Sequence, residues 1–454
     1  MTHRLSSTMP VAKPLYALDA VQVLDLIKAN AITVEEYAEA LLNRVRDRNS
    51  TVKAWAYIDA DFVLRQARVL DEIPHDQRGP LHGVAIGIKD VMNTKDMPTQ
   101  FGSELYKGHQ SCSDSAAVGI LRAAGSLIFG KTTTTEFTVA NSGPETTNPH
   151  DPNRTPGGSS CGSAAAVADL QIPLSLGVQT GGSVIRPASY TGLFAMKPTY
   201  SAVSNEGQKS FSITFDTIGF FARSIEDLQL IANVFSIKDD EPVKDTLLTD
   251  TSVALVKTPM WSQAGPGTVA ALNKAATILE NNGAKVVEIS LPTEVGDEEA
   301  LSRRQKVIFK AEAHAAFLRE YRLDKTKIGP EIRRLVENSS DYTHSELTQA
   351  LDKHASTRTI IDQMAANYSA IIAPSAIDEA PFGLDDMGSP AFNTLWTGFH
   401  VPVINIPAFT GAHGMPIGVS IVAGRFRDQH LLSIAKVLSE PLMTEGGWKV
   451  TGKL

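Results

Sequence analysis

Apolar residues recur at two different spacings along this chain, and the spacing changes near Gly83. Before it, Val21, Leu24 and Ile27 follow Asp19 at helical intervals, and Tyr37, Leu41 and Val45 do the same after Thr33. Thr33 with Glu36 has the form of a capping box, in which each residue satisfies the other's free backbone donor. The first seventy residues therefore read as helices. From Gly83 onward, short apolar runs at Val84–Ile88, Ser126–Phe129 and Ile172–Gly177 predict strands. They alternate with helical stretches such as Ser115–Ala124 and Ser163–Ala168.

Residues Ser236–Thr251 are polar and charged and read as a surface connection. Strands are then predicted at Val253–Val256, Val286–Ile289, Ile371–Ile372, Val403–Ile406 and Val419–Val422. Long helices lie between and after them, including Thr343–Ala366 and Asp428–Leu442. Strands on both sides of the connection favour a single large mixed sheet covered by helices on both faces, an α/β fold, over two independent units. The expectation is one domain over 1–454, mainly helical to about residue 75, with the connection near 236–251.

Composition narrows the function by exclusion. The 454 residues are 43% hydrophobic and 20% charged, with a net charge of −8. Such a chain has no basic footprint for nucleic acid and no polybasic stripe for a membrane surface. No apolar run is long enough to span a bilayer, and the first fifteen residues lack the apolar core of a leader. Two cysteines, Cys112 and Cys161, give neither a disulfide framework nor zinc spacing, which fits a reducing, cytoplasmic setting. The ending Gly452-Lys453-Leu454 is one serine short of a peroxisomal address.

Three segments carry the chemistry. In Val84-Ala85-Ile86-Gly87-Ile88-Lys89, alternation puts Val84, Ile86 and Ile88 on one face and Ala85, Gly87 and Lys89 on the other. Small neighbours leave room around the amine, and burial there lowers a lysine pKa so that the neutral amine acts as a base. Taken alone, Lys89 is as compatible with an ordinary strand end pointing to water. The run Pro156-Gly157-Gly158-Ser159-Ser160-Cys161-Gly162-Ser163 precedes an alanine-rich helix and can present hydroxyls and N–H groups at its start. Gln179-Thr180-Gly181-Gly182-Ser183 follows a strand, and backbone N–H groups beside two glycines can converge on one point, as an oxyanion hole requires.

The serine run also contains G-x-S-x-G centred on Ser160, the form of a nucleophile elbow that His413 or His430 could serve. That elbow needs a strand just upstream. Asn148-Pro149-His150-Asp151-Pro152-Asn153-Arg154-Thr155-Pro156 cannot form a central one.

Together the three segments resemble the amidase signature family. Lys89-Asp90 is followed by Thr94, Asp96-Met97-Pro98-Thr99 and Gly102-Ser103, then Gly130-Lys131-Thr132, Glu136-Phe137, Asn148-Pro149 and Asn153-Arg154. Phe194-Ala195-Met196-Lys197-Pro198-Thr199 and Asp216-Thr217-Ile218-Gly219 extend the likeness, which runs from about Leu15 to Leu442. The resemblance implies Ser183 as nucleophile, Ser159 as proton relay on a non-proline cis peptide, and Lys89 as base. It places the oxyanion on the amides of Thr180, Gly181, Gly182 and Ser183. It implies an amidohydrolase of small amides, carbamates or esters, without cofactor or metal. Its partner would be that small-molecule substrate, with no nucleic acid or membrane and with a homodimer left open.

Three positions depart from the family pattern. Gln179 stands for the usual aspartate, Cys161 for a glycine, and the arginine falls three residues after Ser183, at Arg186. The string QTGGSVIRPA is similar to the malonamidase branch, where that arginine grips a substrate carboxylate; the alternative is that Arg186 braces the turn by pairing with an acid. The glutaminase component of a tRNA-dependent amidotransferase, and a non-catalytic descendant, are the competing functions. The pocket is expected from Gln100–Gln110, Gln208–Phe215 and Asp378–Thr397. Phe211, Phe215 and Trp396 are candidates for its wall or for ordinary core.

Overall fold

The computed structural model describes residues 13–449, apart from 140, 142 and 338–340. The terminal Gly452-Lys453-Leu454 lies outside the described residues. Eleven strands form one sheet: β1 (Trp55–Tyr57), β2 (Ala85–Lys89), β3 (Leu127–Thr132), β4 (Leu174–Gln179), β5 (Phe194–Lys197), β6 (Thr217–Ala222), β7 (Ser252–Val256), β8 (Lys285–Ile289), β9 (Ala370–Pro374), β10 (Val403–Thr410) and β11 (Pro416–Val422). Their order is β1-β3-β2-β4-β6-β5-β10-β11-β9-β7-β8. The sheet is mixed, as the alternating runs predict. β3, β2 and β4 are mutually parallel, as are β9, β7 and β8, and antiparallel pairings join the two groups through the centre.

Both faces are covered, because alternate residues of each strand feed different cores. Val84, Ile86 and Ile88 of the β2 segment join one cluster with Val253, Leu255 and Ile372. Ala85 enters the cluster under the N-terminal helices, and Ala254, Val256 and Ile371 enter a third. Each one-residue step along a strand changes the layer it supports.

The N-terminal helices Ala20–Lys28 and Val34–Val52 start after Asp19 and Thr33, where the sequence signals them, and a third follows at Ala60–Asp71. Thr33 accepts from the Glu36 N–H at 3.0 Å, and the Glu36 carboxylate accepts from the Thr33 N–H at 2.8 Å. This region also contributes edge strand β1, a three-residue element too short for alternation to register. Between the halves, most of residues 238–250 are exposed, consistent with a connection over the surface. The longest helix, Glu298–Asp324, packs against the helices Pro330–Glu337 and His344–Ala365. No helix among the described residues is long and apolar enough to cross a membrane.

Candidate active site

Lys89 ends β2 and is completely buried, so the reading of a solvent-directed strand end is excluded. Its Nζ lies 2.7 Å from Ser159 Oγ and donates to the Val178 carbonyl at 3.3 Å. Burial pushes its pKa down to about 7, against smaller opposing effects of Cys161 and Asp216. In its neutral form, about half the population at that pH, the amine keeps a lone pair that can face Ser159 while an N–H is held by Val178.

Ser159 follows a cis peptide, Gly158–Ser159. The buried helix Cys161–Ala168 anchors it from the other side. Small side chains let that helix sit against the sheet. Ser163 Oγ donates to the Leu176 carbonyl at 2.8 Å, and a Cβ on Gly162 would come within 2.3 Å of the Ala54 oxygen and the Thr133 nitrogen. Ser160 is consumed structurally: its Oγ both donates to and accepts from the Val178 backbone at 3.3 Å. His413 is exposed and paired with Glu379, and His430 is bonded to the Ser369 carbonyl. The elbow arrangement around Ser160 is absent from the described residues.

The glycine turn is held by the residue that departs from the family pattern. Gln179 Oε1 accepts from the N–H groups of Val184 and Ile185 at 2.9 and 3.0 Å, capping the helix Ile185–Thr191. Its Nε2 donates to Thr397 Oγ1 at 3.0 Å, and Thr397 Oγ1 in turn donates to the Gly181 carbonyl at 2.8 Å. A neutral amide thus does what a carboxylate would do at this point, with one extra donor. Gly182 cannot carry a side chain, since a Cβ would meet Asn393 Oδ1 at 2.4 Å.

Thr180, Gly181, Gly182 and Ser183 line a cavity of about 520 Å³. Among the described residues, none of these four backbone N–H groups donates to a protein acceptor. Ser183 is 7% exposed. No hydrogen bond joins its Oγ to Ser159 or Lys89 among the described residues, whereas Lys89 and Ser159 are already joined. Catalytic hydrogen bonds commonly tighten only once substrate is in place.

Asp216 organises the cavity from below. It accepts from Thr180 Oγ1 at 2.5 Å, from Ser210 Oγ at 3.0 Å, and from the N–H groups of Phe211 and Ser212 at 2.7 and 3.1 Å. Burial raises its pKa despite those four donors.

Arg186 is buried at the cavity wall and pairs with no acid among the described residues, correcting that form of the bracing expectation. Nη2 donates to the Gly158 carbonyl at 2.7 Å and Nη1 to the Gly388 carbonyl. Both terminal nitrogens are thus committed to backbone next to Ser159. Burial holds its pKa below the ordinary arginine value.

Of the expected aromatic wall residues, Phe211 lines the cavity. Phe215 and Trp396 do not. Phe215 packs edge-on to Phe309 and near His354, and Trp396 packs with Phe399 in a separate core. The stretch Gln100–Gln110 also stays out, because Phe101 and Tyr106 are engaged with Phe137. The expected stretch Asp378–Thr397 supplies Met387 and Thr394, and the rest of the wall comes from outside the expected stretches, from Thr138, Met260 and Phe309 together with Gln305 and Lys306. None of these carries a local motif. No group of three or more His, Cys, Asp or Glu suited to a metal ion occurs among the described residues.

Comparison with known proteins agrees with this geometry. The amidase family model matches residues 36–432. Two relatives are A-type subunits of glutamyl-tRNA(Gln) amidotransferases. The one from Symbiobacterium thermophilum is 31% identical over 95% of this chain and 99% of its own. Its counterpart from Thermobifida fusca is 36% identical over 62% of this chain and 60% of its own length. A solved amidase crystal structure superposes with a TM-score of 0.83 at 26% identity, covering 93% of this chain and 99% of the other.

Proposed function

The chain belongs to the amidase family, and from that premise we propose that it is a stand-alone hydrolase of small amides, extending to carbamates or esters, working through an acyl-enzyme on Ser183. The observation that carries the reading is the fully buried Lys89 amine, held near neutrality and 2.7 Å from Ser159, behind a cavity floored by Gly181-Gly182-Ser183.

In this scheme neutral Lys89 takes a proton from Ser159 Oγ as Ser159 takes one from Ser183 Oγ. Ser183 attacks the carbonyl carbon, and the oxygen gathers charge against the N–H groups of residues 180–183. Ser159 then protonates the departing nitrogen, which an amide needs because an amine anion leaves poorly, and takes back the proton held by Lys89, which returns the relay to its starting state. Water enters by the same relay, its proton passing to Ser159 as it releases the acid from Ser183. Arg186 supports the relay by fixing the Gly158 carbonyl, and this engagement favours bracing over gripping a substrate carboxylate.

A second reading is the amidotransferase component named by the relatives, which would release ammonia for a partner holding tRNA. Gln179 and the position of Arg186 weigh against it. The test is a panel of aliphatic and aromatic amides, malonamate, ethyl carbamate and esters on the pure protein. Turnover of simple amides supports the first reading. Turnover confined to glutamine, with partner proteins co-purifying, supports the second.

A further inference from the structure

The helix Glu298–Asp324 presents Ser302, Gln305, Lys306, Phe309 and Lys310 to the cavity. Their spacing of three and four residues marks one continuous helix face. Ser302 and Lys306 are exposed on it, Phe309 and Lys310 are half-buried and Gln305 is buried, so this face borders an open rim and carries two cations. The charged residues of the cavity are all of one sign. Acidic residues outnumber basic ones in the chain, 50 to 42. Yet no Asp or Glu is among the described residues that line this space, whereas Arg186, Lys306 and Lys310 are.

These cations are not equivalent. Arg186 has both terminal nitrogens on backbone carbonyls, and Lys310 is paired with Asp341. Arg303, one turn before Lys306, is paired with Glu346 at 2.6 Å. Lys306 is exposed at the mouth and forms no hydrogen bond or ion pair among the described residues, although Asp341, which is paired with Lys310, lies near enough to feel its charge. The same cavity lining includes the apolar side chains Phe211, Met260, Phe309 and Met387.

We propose that the physiological substrate carries an anionic group, in the simplest case a carboxylate, at the far end of an apolar spacer from the scissile amide, and that Lys306 receives it at the cavity mouth. The proposal rests on the amidase reading of the site and names its substrate class. It differs from an arginine grip in where it puts the charge. An anchor at Arg186, beside the nucleophile turn, would favour the shortest dicarboxylic monoamides. An anchor at Lys306 favours longer ones.

The test compares kcat/KM for monoamides of linear dicarboxylic acids with the neutral amides of equal chain length, from malonamate to adipamate and beyond. The anionic member should win by a margin that grows with spacer length and shrinks in high salt, since the lysine is solvent-exposed. Lys306→Ala should lower the anionic-to-neutral ratio by about 1.5- to fivefold, the scale of one exposed ion pair, and Lys306→Glu should invert the preference. Equal rates for anionic and neutral partners, a preference peaking at malonamate, or a ratio unmoved in Lys306→Ala would each overturn the proposal. Calorimetric binding of adipamate and hexanamide to Ser183→Ala reads the same selectivity without turnover. Tighter adipamate binding that Lys306→Ala abolishes, in a protein hydrolysing no amide, would sink the hydrolase reading and leave the anion site standing.

Discussion

The pH dependence of turnover should follow the Lys89 amine. An ordinary lysine, with a pKa of 10.5, is neutral in only about three molecules in ten thousand at pH 7. Burial lowers the Lys89 value to about 7, so roughly half is neutral at that pH, a gain of about a thousandfold in competent base. The sign is fixed by chemistry: the amine is charged and inert below its pKa and neutral and basic above it. Hence kcat/KM for a neutral substrate should rise about tenfold per pH unit below pH ~7 and level off above it. Lys89→Ala should cost about 10²- to 10⁴-fold near the plateau, the usual worth of a positioned base, and its remaining activity should keep rising with pH as hydroxide substitutes. Lys89→Arg should fare no better, because a guanidinium does not lose its proton in this range. The assay is initial-rate release of a chromogenic amine between about pH 5 and 9, with circular dichroism to confirm folding. A wild-type profile flat below neutrality, or a Lys89→Ala profile with the same inflection near 7, would refute the assignment.

Two further substitutions probe how the turn is held. Gln179→Leu leaves the N–H groups of Val184 and Ile185 buried without an acceptor, so it should cost roughly 2–5 kcal/mol by denaturant titration. Gln179→Glu, which keeps an acceptor, should lose less; equal stability of all three proteins would contradict the capping role. Arg186→Met frees the carbonyls of Gly158 and Gly388, and should depress kcat on neutral and carboxylate-bearing amides alike. Loss confined to carboxylate substrates would restore the gripping role instead.

The parts of the site visible in the sequence are those whose chemistry is local. Lys89 sits in a β2 segment whose alternation, Val84-Ile86-Ile88 against Ala85-Gly87, matches the two cores the segment enters. The glycine turn and serine run advertise themselves because close backbone approach demands Gly there, as Gly162 and Gly182 demonstrate. β5 and β6 escape the pattern because they are buried throughout, and Phe-Ala-Met-Lys and Thr-Ile-Gly-Phe-Phe-Ala show no clean alternation. The cavity wall is the least legible element. Phe309 and Lys306 reach it only because a helix more than a hundred residues downstream of Ser183 comes back over the same cavity. Their one local trace is the run of polar residues Ser302, Gln305, Lys306 and Lys310 at helical spacing, on a helix whose buried positions include Leu301, Val307 and Ile308. Phe215 and Trp396 show the converse, large aromatics near site motifs that packing claims entirely.

The central claim is that Ser183 carries the acyl group, and trapping that intermediate tests it most directly. Acid-quenching the protein during turnover of an activated ester, followed by peptide mass mapping, should place the acyl mass on Ser183 and lose it in Ser183→Ala. Acylation of Ser160 or Cys161, or an adduct that persists in Ser183→Ala, would contradict the account.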